Sequence, residues 1–240
     1  KEKKDADYRY VVKSDASGKR LKEILGFPPS SYDQVYSSDV VFLAIKPKDY
    51  PFFLEELKDR LGEDQILISI APGFSFDKLQ GYFDEPKKLV RSMPATPAQV
   101  GKSVSAMCFS PAMSEQDKEL VQELFLSFGA VHLLDESLLE AFGNLCGVMP
   151  AYLMMLLEAM GDQAVSWGIP RKQAYLMAAQ IMEGSAVMLQ ETGLHPGELK
   201  DQVTSPGGTT IQGVLAFDEW GGRTAIQKAM QASYKKGMSL

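Results

Sequence analysis

The strongest chemical signal in this sequence is a short segment of small and polar residues, Asp201 to Thr210. It ends where an amphipathic helix begins, with Ile211, Val214 and Leu215 on one face. Backbone N–H groups at a helix start have no partner inside the helix, and the helix dipole adds partial positive charge, so an anion is favoured there. The glycines allow close backbone approach, and the hydroxyl groups add donors.

Because the loop is compact and brings no charged side chain to the anion, it favours a small carboxylate over a polyphosphate. A glycine-rich helix start without a ligand is the alternative. The candidate substrate-binding residues are Ser205, Gly207, Gly208, Thr209 and Thr210.

Two further candidate segments lie where predicted strands end. Ala44 to Pro47 lies at the carboxyl end of one apolar run, and Ala71-Pro72 follows another. In open α/β sheets, ligands bind outside the carboxyl ends of the strands, so these segments could form one wall of a dinucleotide crevice. The alternative is a pair of ordinary strand-to-helix turns. The candidate cofactor-binding residues here are Ala44, Ile45, Lys46, Pro47, Ala71 and Pro72.

A third candidate is the polar turn Lys13-Ser14-Asp15, with Lys19 and Arg20 close behind it. In dinucleotide-binding folds an acidic residue at this place holds the ribose of NAD, whereas basic and hydroxyl groups accept the additional phosphate of NADP. The three basic side chains outnumber Asp15, which favours NADP while NAD remains possible. A solvated charged turn is the alternative interpretation.

Several kinds of catalytic site are not indicated by the residues. The sequence contains no Gly-x-Gly-x-x-Gly, and its two cysteines and two histidines have no metal-ligand spacing. No Ser-His-Asp or Cys-His arrangement stands out: His132 lies in a predicted strand, and His195, before Pro196, is expected to begin or cap a helix. No metal site is therefore predicted.

The elements that must position these residues fall into two halves. Alternating apolar strands and amphipathic helices in the first half predict a Rossmann-like parallel α/β sheet, and long helical stripes in the second half predict an all-helical domain. We place the boundary between residues 1–135 and 136–240. The segment 104–109 alternates like a more exposed or edge strand. The predicted strands are 8–12, 40–45, 66–70, 89–90, 104–109 and 131–134, and the predicted long helices are 152–167, 171–192, 209–220 and 223–238.

Composition limits the partners of the protein. The chain has 240 residues, a formal net charge of −6 and 45% hydrophobic residues, which is typical of a globular protein and argues against nucleic acid or an anionic membrane as the main partner. The two cysteines show no disulfide pattern, so a reducing cytoplasm is expected. The helical half is rich in Met, Ala and Leu, which indicates helix burial between subunits, with an ordinary monomeric core as the alternative.

Taken in order, the motifs resemble the pyrroline-5-carboxylate reductase family. The stretch from His195 to Arg223 is close to that family's signature, and the resemblance extends over nearly the whole chain. The other matching motifs are Asp39–Pro47, Arg91–Pro97, Pro150-Ala151-Tyr152 and Gly168–Arg171.

The resemblance implies a Rossmann domain followed by a helical dimerisation domain, and reduction of 1-pyrroline-5-carboxylate to L-proline with NAD(P)H in proline biosynthesis. It implies that the Ser205–Thr210 loop holds the substrate carboxylate and that Thr210, the candidate catalytic residue, lies near the ring nitrogen. It also places Ser14 near the adenosine ribose or its phosphate. Ala44, Lys46, Pro47, Ala71 and Pro72 fall at cofactor contacts.

The sequence departs from the family pattern at three places. Val148-Met149 replaces a Ser-Gly pair, and Ala95 stands where the family has an asparagine. The chain begins with lysine, and the first strand and glycine turn of a Rossmann domain are not in it. We expect that segment upstream and poor cofactor affinity in this 240-residue chain, which tight saturable nicotinamide binding would contradict. These departures leave two alternatives open: a non-catalytic paralogue acting as a dimeric interaction module, or a reductase for a different small imine.

Overall fold

The computed structural model describes residues 6–238, and its first part is built around a five-stranded sheet. The residues at the start of the chain, on which the expectation of an upstream segment rests, lie outside this range. The strands pair in chain order; β3 and β4 are antiparallel and the other pairs are parallel. The predicted Rossmann-like α/β class is confirmed, with one reversed strand pair. The strands are β1 (Val40–Leu43), β2 (Ile66–Ser69), β3 (Lys88–Pro94), β4 (Ser103–Phe109) and β5 (Gly129–Leu133).

Two strand predictions are wrong. Residues 8–12 form no strand. Tyr10 instead contacts the segment that follows α1: its carbonyl accepts from the Ser30 N–H at 2.8 Å, and its hydroxyl donates to the Phe27 carbonyl at 3.0 Å. A strand needs a neighbouring strand, and in the described residues β1 pairs with β2 alone. β4 is no edge strand, because it lies between β3 and β5 and is mostly buried.

The sheet is covered by short helices whose apolar sides form its core. Four of them begin at a serine whose hydroxyl accepts a backbone N–H, as the sequence predicts for Ser114. Tyr50, Leu54 and Leu67 lie in one buried cluster, and Ile68 and Phe125 lie in a second. These helices are α1 (Asp15–Leu25), α2 (Tyr32–Tyr36), α3 (Tyr50–Lys58), α4 (Phe76–Gln80), α5 (Glu115–Leu126) and α6 (Leu139–Phe142).

The later part of the chain is helical from a π-helical turn at Gly143–Gly147 onward. Pro170 and Gly193 flank the longest helix, which spans the predicted residues 171–192. His195 caps the next helix, as expected, because its side chain accepts the Gly197 N–H. These helices are α7 (Met149–Ser166), α8 (Arg171–Thr192), α9 (Pro196–Gln202), α10 (Thr209–Glu219) and α11 (Gly222–Gly237).

The chain forms two compact units, which we call the sheet unit (up to Gly143) and the helical unit (from Asn144). The boundary predicted after residue 135 lies ahead of this division and stays a prediction.

Helices α7 and α8 of the helical unit expose an unusual amount of apolar surface. A cavity of about 440 Å³ lies between them, lined among others by Met160, Trp167 and Met177. Within the described residues, the stretch Glu136–Ser166 is long and apolar enough to cross a membrane by length and composition alone. A helix that is buried between subunits meets the same criteria, so the exposure marks a surface that needs covering.

Candidate active site

The predicted anion-binding segment is the turn between α9 and α10, and the structure leaves its backbone donors available. Gly208 is the N-cap of α10, and no side chain caps this helix start. The first N–H groups of α10 are therefore open to a ligand, and an 11-residue helix has its dipole behind them. This geometry is suited to a carboxylate.

Gly207 and Gly208 each exclude a side chain for a different structural reason. Gly207 has φ +68°, a left-handed conformation that side chains disfavour. A Cβ on Gly208 would lie 2.3 Å from the Ser205 hydroxyl oxygen, and the Gly208 N–H donates to the Ser205 carbonyl at 3.0 Å. The turn thus brings the hydroxyl of Ser205 beside the start of α10, where Thr209 and Thr210 follow.

Thr210 lies on the wall of a second cavity in the helical unit. Its volume is about 480 Å³, and it is lined by Lys200, Thr210, Gly213, Val214, Phe217, Asp218 and Arg223. The volume is in the range of small-molecule pockets. Both basic residues of the lining have an acidic partner: the Arg223 Nε donates to Asp218 at 2.9 Å, and Lys200 is paired with Asp201. Lys200 and Arg223 were not among the predicted site residues; their place within the signature stretch from His195 to Arg223 is the signal that points to them.

The predicted cofactor residues at the ends of β1 and β2 lie side by side, because Leu43 and Ser69 are paired in register in parallel strands. Ala44, Lys46, Pro47 and Pro72 are exposed; Ile45 is half-buried and Ala71 is buried. The Tyr50 hydroxyl joins the two strand ends: it donates to the Leu43 carbonyl at 2.8 Å and accepts from Ser69 at 3.1 Å. Burial raises the pKa of Tyr50, so this hydroxyl keeps its proton.

Ser14, the third cofactor candidate, is engaged in capping α1. Its hydroxyl accepts the Ser17 N–H at 3.3 Å and donates to the Ser17 hydroxyl at 3.0 Å. The Nζ of neighbouring Lys13 is 3.7 Å from the Oδ1 of Asp49. Since Asp49 lies two residues after Pro47, this turn lies at the same edge of the sheet as the end of β1. Asp15, in the first turn of α1, is exposed.

A dinucleotide fits these residues. Two exposed strand ends lie beside a turn that carries Lys13 and Ser14, and Gly73 adds open space, since a Cβ there would meet nothing within 4 Å. Hydroxyl and ammonium donors at this edge are the chemistry that ribose and phosphate groups require. In the described part of the chain, no group of three or more His, Cys, Asp or Glu residues is arranged to hold a metal ion.

The family departures lie in different surroundings. Ala95 is buried, where its N–H donates to the Val104 carbonyl at 3.1 Å. Val148 and Met149 are half-buried at the start of α7, just after the π-helical turn that contains Cys146. Burial raises the pKa of Cys146, and it raises that of Cys108 in β4 to about 12, so neither thiol is prepared to act as a nucleophile.

Sequence reasoning missed a buried ionic cluster near the cofactor edge. Arg91 of β3 is 4% exposed, and its guanidinium is paired with Glu136 and Glu140. A charged residue inside the apolar run Leu89–Met93 is the signal that could have predicted it, because a buried charge needs a partner.

Comparison with solved structures identifies the fold. A 1-pyrroline-5-carboxylate reductase from Streptococcus pyogenes superposes with a TM-score of 0.83 at 30% identity, covering 95% of this chain and 87% of that one. A Plasmodium falciparum pyrroline carboxylate reductase with NADP bound gives a TM-score of 0.81 at 27% identity, covering 88% and 80%. Residues 10–73 match the family model for NADP oxidoreductase, coenzyme F420-dependent.

The sequence comparisons agree with the structural ones. Residues 136–240 match the model for pyrroline-5-carboxylate reductase dimerisation. The pyrroline-5-carboxylate reductase of Escherichia coli is 38% identical over 211 residues, which is 88% of this chain and 78% of that protein. The fold and the site define an NAD(P)H-dependent oxidoreductase of the Rossmann type. Within that class, the chain belongs to the pyrroline-5-carboxylate reductase family, as the motifs indicate.

Proposed function

We propose that this protein reduces 1-pyrroline-5-carboxylate to L-proline with NAD(P)H, a step of proline biosynthesis. The observation that carries this proposal is the uncapped start of α10, where open backbone donors and the nearby Ser205 hydroxyl suit one carboxylate. Family membership supports the same activity, and within the residues that the structure describes no feature favours a non-catalytic interaction module or a different imine.

The chain's own residues need to do little acid–base chemistry in this reaction. A protonated cyclic imine is already a good hydride acceptor, so placement and exclusion of water are the main requirements. The bound cofactor supplies the hydride. The α10 start holds the ring carboxylate, while Gly207 and Gly208 let the backbone approach it. We propose that the Thr210 hydroxyl, on the wall of the cavity in this unit, hydrogen-bonds at the ring nitrogen.

We assign cofactor binding to Ser14, Ala44, Ile45, Lys46, Pro47, Ala71 and Pro72, and we propose a preference for NADP. The exposed ammonium of Lys13 beside Ser14, with Lys19 and Arg20 exposed on α1, supports binding of the additional phosphate. Among the described residues, Asp15 and Asp49, the ion-pair partner of Lys13, are acidic side chains that oppose this preference. The ratio of kcat/KM for NADPH to that for NADH measures it, and replacing Lys13 by alanine should lower that ratio about fivefold.

We further propose a cytoplasmic homodimer, in which the helical domain, residues 136–240, pairs the subunits. The exposed apolar side chains of α7 and α8 support this assembly, since a surface of this kind is stable in water only when it is covered. Reducing conditions are consistent with two cysteines that carry no disulfide.

The test of the reaction is the oxidation of NADPH in the presence of 1-pyrroline-5-carboxylate, and the reverse reaction with proline at high pH. We expect Thr210→Ala to lower kcat by about 100-fold and Thr210→Ser to retain most of it, because serine keeps the hydroxyl. Thr192→Ala is the matched control, since that hydroxyl bonds only within the end of α8. Full activity of Thr210→Ala would remove Thr210 from the mechanism, and inactivity of the full-length protein would refute the proposed function.

A further inference from the structure

Arg91 carries a charge into the interior of the sheet unit, and two carboxylates meet it there. The Arg91 Nη1 is 2.8 Å from Glu136, and its Nη2 is 3.2 Å from Glu140. The Arg91 side chain is 5% exposed, whereas each glutamate keeps about a third of its side chain exposed. Burial of a guanidinium is costly without such partners. We call these three residues the Arg91 cluster.

Each carboxylate of the cluster also accepts a backbone N–H from the segment that follows β2. The oxygen of Glu140 that faces Arg91 accepts from the Gly73 N–H at 3.1 Å. The corresponding oxygen of Glu136 accepts from the Phe76 N–H at 2.6 Å. The cluster therefore connects β3 to the loop at the end of β2, by two hydrogen bonds to charged acceptors, which are the stronger kind.

The connected loop is the one that begins with the cofactor candidates Ala71 and Pro72. Gly73 has φ +76°, a conformation that this loop needs and that glycine adopts without strain. Both backbone polar groups of Gly73 are bonded: the N–H donates to Glu140, and the carbonyl accepts from Lys78 Nζ at 2.8 Å. The ring of Phe74 packs on Tyr50 at 4.5 Å between centroids, and Tyr50 in turn joins the β1 and β2 ends.

We infer that Arg91, Glu136 and Glu140 are positioning residues that fix the Ala71–Gly73 turn in the conformation that receives the dinucleotide. The inference rests on the proposed function, since that function makes the turn a cofactor contact. Each carboxylate bonds both to Arg91 of β3 and to the segment after β2: Glu140 accepts the Gly73 N–H, and Glu136 accepts the Phe76 N–H at the start of α4. The cluster thus ties both ends of the segment between β2 and α4 to the sheet, which fixes the turn at the cofactor edge.

The experiment compares Glu140→Gln and Glu140→Ala in the enzyme. Glutamine keeps an acceptor for the Gly73 N–H but loses the charge that faces Arg91, whereas alanine loses both. We expect the KM for NADPH to rise about tenfold in Glu140→Ala and less in Glu140→Gln, while the KM for 1-pyrroline-5-carboxylate changes less than twofold. Glu115→Gln is the matched control: it breaks an exposed pair with Lys118 elsewhere in the sheet unit and should leave both values unchanged.

Two results would overturn the inference. One is an unchanged KM for NADPH in both Glu140 variants. The other is a fall in kcat with both KM values unchanged, which is what loss of folded enzyme produces. Circular dichroism confirms that the variants are folded, and Glu136→Gln provides a second route if Glu140→Ala does not fold.

Fluorescence titration with NADPH alone separates this inference from the proposed function. If the parent protein binds NADPH but reduces no pyrroline carboxylate, the proposed function fails. In that case weaker binding by Glu140→Ala still supports the Arg91 cluster, and equal binding refutes it.

Discussion

The sheet unit and the helical unit bury their apolar side chains to very different degrees. Leu54, Leu67 and Phe125 of the sheet unit are fully buried, whereas after Gly143 the buried apolar side chains among the described residues are Ala174 and Ala178 alone. Large side chains of the helical unit stay in water in the isolated chain, such as Trp167 at 73% exposure. The sheet unit thus closes its own core, and the helical unit leaves its apolar surface open.

The helix starts differ in the same way. In the sheet unit, α1, α2, α4 and α5 each have a serine cap. In the helical unit, α7, α8, α10 and α11 have no side-chain cap, and α9 has His195. Serine caps therefore define the starts of four short helices of the sheet unit, whereas the helix starts of the helical unit depend more on packing. The comparison teaches that the sheet unit is stabilised within the chain, whereas the helical unit leaves apolar surface available for the subunit pairing that we propose.

The largest expected effect is loss of a ring from the core of the sheet unit. Phe125 is fully buried and stacks with Phe42 and Phe128 at 5.8 and 5.1 Å between centroids. Phe125→Ala should lower the free energy of unfolding by about 3–5 kcal/mol, since it leaves a cavity. Phe52→Ala is the control, because Phe52 is 65% exposed. Denaturant unfolding measures both, and equal losses would contradict the description of the sheet unit as self-contained.

A charge on the apolar surface of α8 should break the assembly. Met177 is 53% exposed in the single chain and lines the cavity between α7 and α8. Met177→Glu should raise the dissociation constant of the homodimer at least about 100-fold, because the new carboxylate is buried without a partner. Gln173→Glu adds the same charge at an exposed polar position of α8 and should not. Sedimentation at several protein concentrations measures the dissociation constant. An intact Met177→Glu dimer would show that the subunit interface does not include this surface of α8.

A substitution in the α9–α10 turn should separate the kinetic roles of the two units. Gly207→Ala forces a side chain into a left-handed conformation and should displace the carboxylate site. We expect the KM for the imino acid to rise about fivefold with no change in the KM for NADPH. Gly237→Ala, at the end of α11, is the control. A rise in the KM for NADPH alone would reverse the assignment of substrate to the helical unit.

The smallest effect concerns the acid stability of the sheet unit. A hydrogen bond from Ser114, and Lys88 at 3.0 Å, hold the pKa of Asp117 below its usual value. A lowered pKa in the folded state stabilises the protein above the unfolded-state pKa, about 3.9, and this contribution disappears as the pH falls through the folded-state pKa. Asp117→Asn should therefore cost about 0.5–1 kcal/mol at pH 7 and nothing in strong acid. Asp64→Asn, which removes an exposed carboxylate near the same lysine, should show no such pH dependence.

The sequence predicts best the elements with strong local signals. Pro170 and Gly193 define α8, and the β-branched run at Ile66 defines β2, so both were expected close to their observed bounds. The direction of β4 could not be predicted, because hydrophobic periodicity is the same in parallel and antiparallel strands. The strand expected at Tyr8 fails for a related reason: its composition favours a strand, but pairing depends on a neighbour that the local residues do not specify.

The candidate site shows the same limit. The anion-binding turn could be predicted because Gly207, Gly208 and the following helix are consecutive in the chain. The Arg91 cluster could not, since the whole of β4, α5 and β5 lies between Arg91 and its carboxylates in the chain. Long-range pairs of charges leave only one trace in a sequence, a charged residue within an apolar run.

The burial of Cys108 has a practical consequence for the chemistry that this protein survives. Burial raises the pKa of Cys108 to about 12, so at neutral pH this thiol stays protonated, whereas alkylating agents and peroxides react with the thiolate. Cys108 is paired in register with Arg91, so a bulky oxidation product there would push against the cluster. Cys108 should therefore resist alkylation and oxidation as long as the protein stays folded.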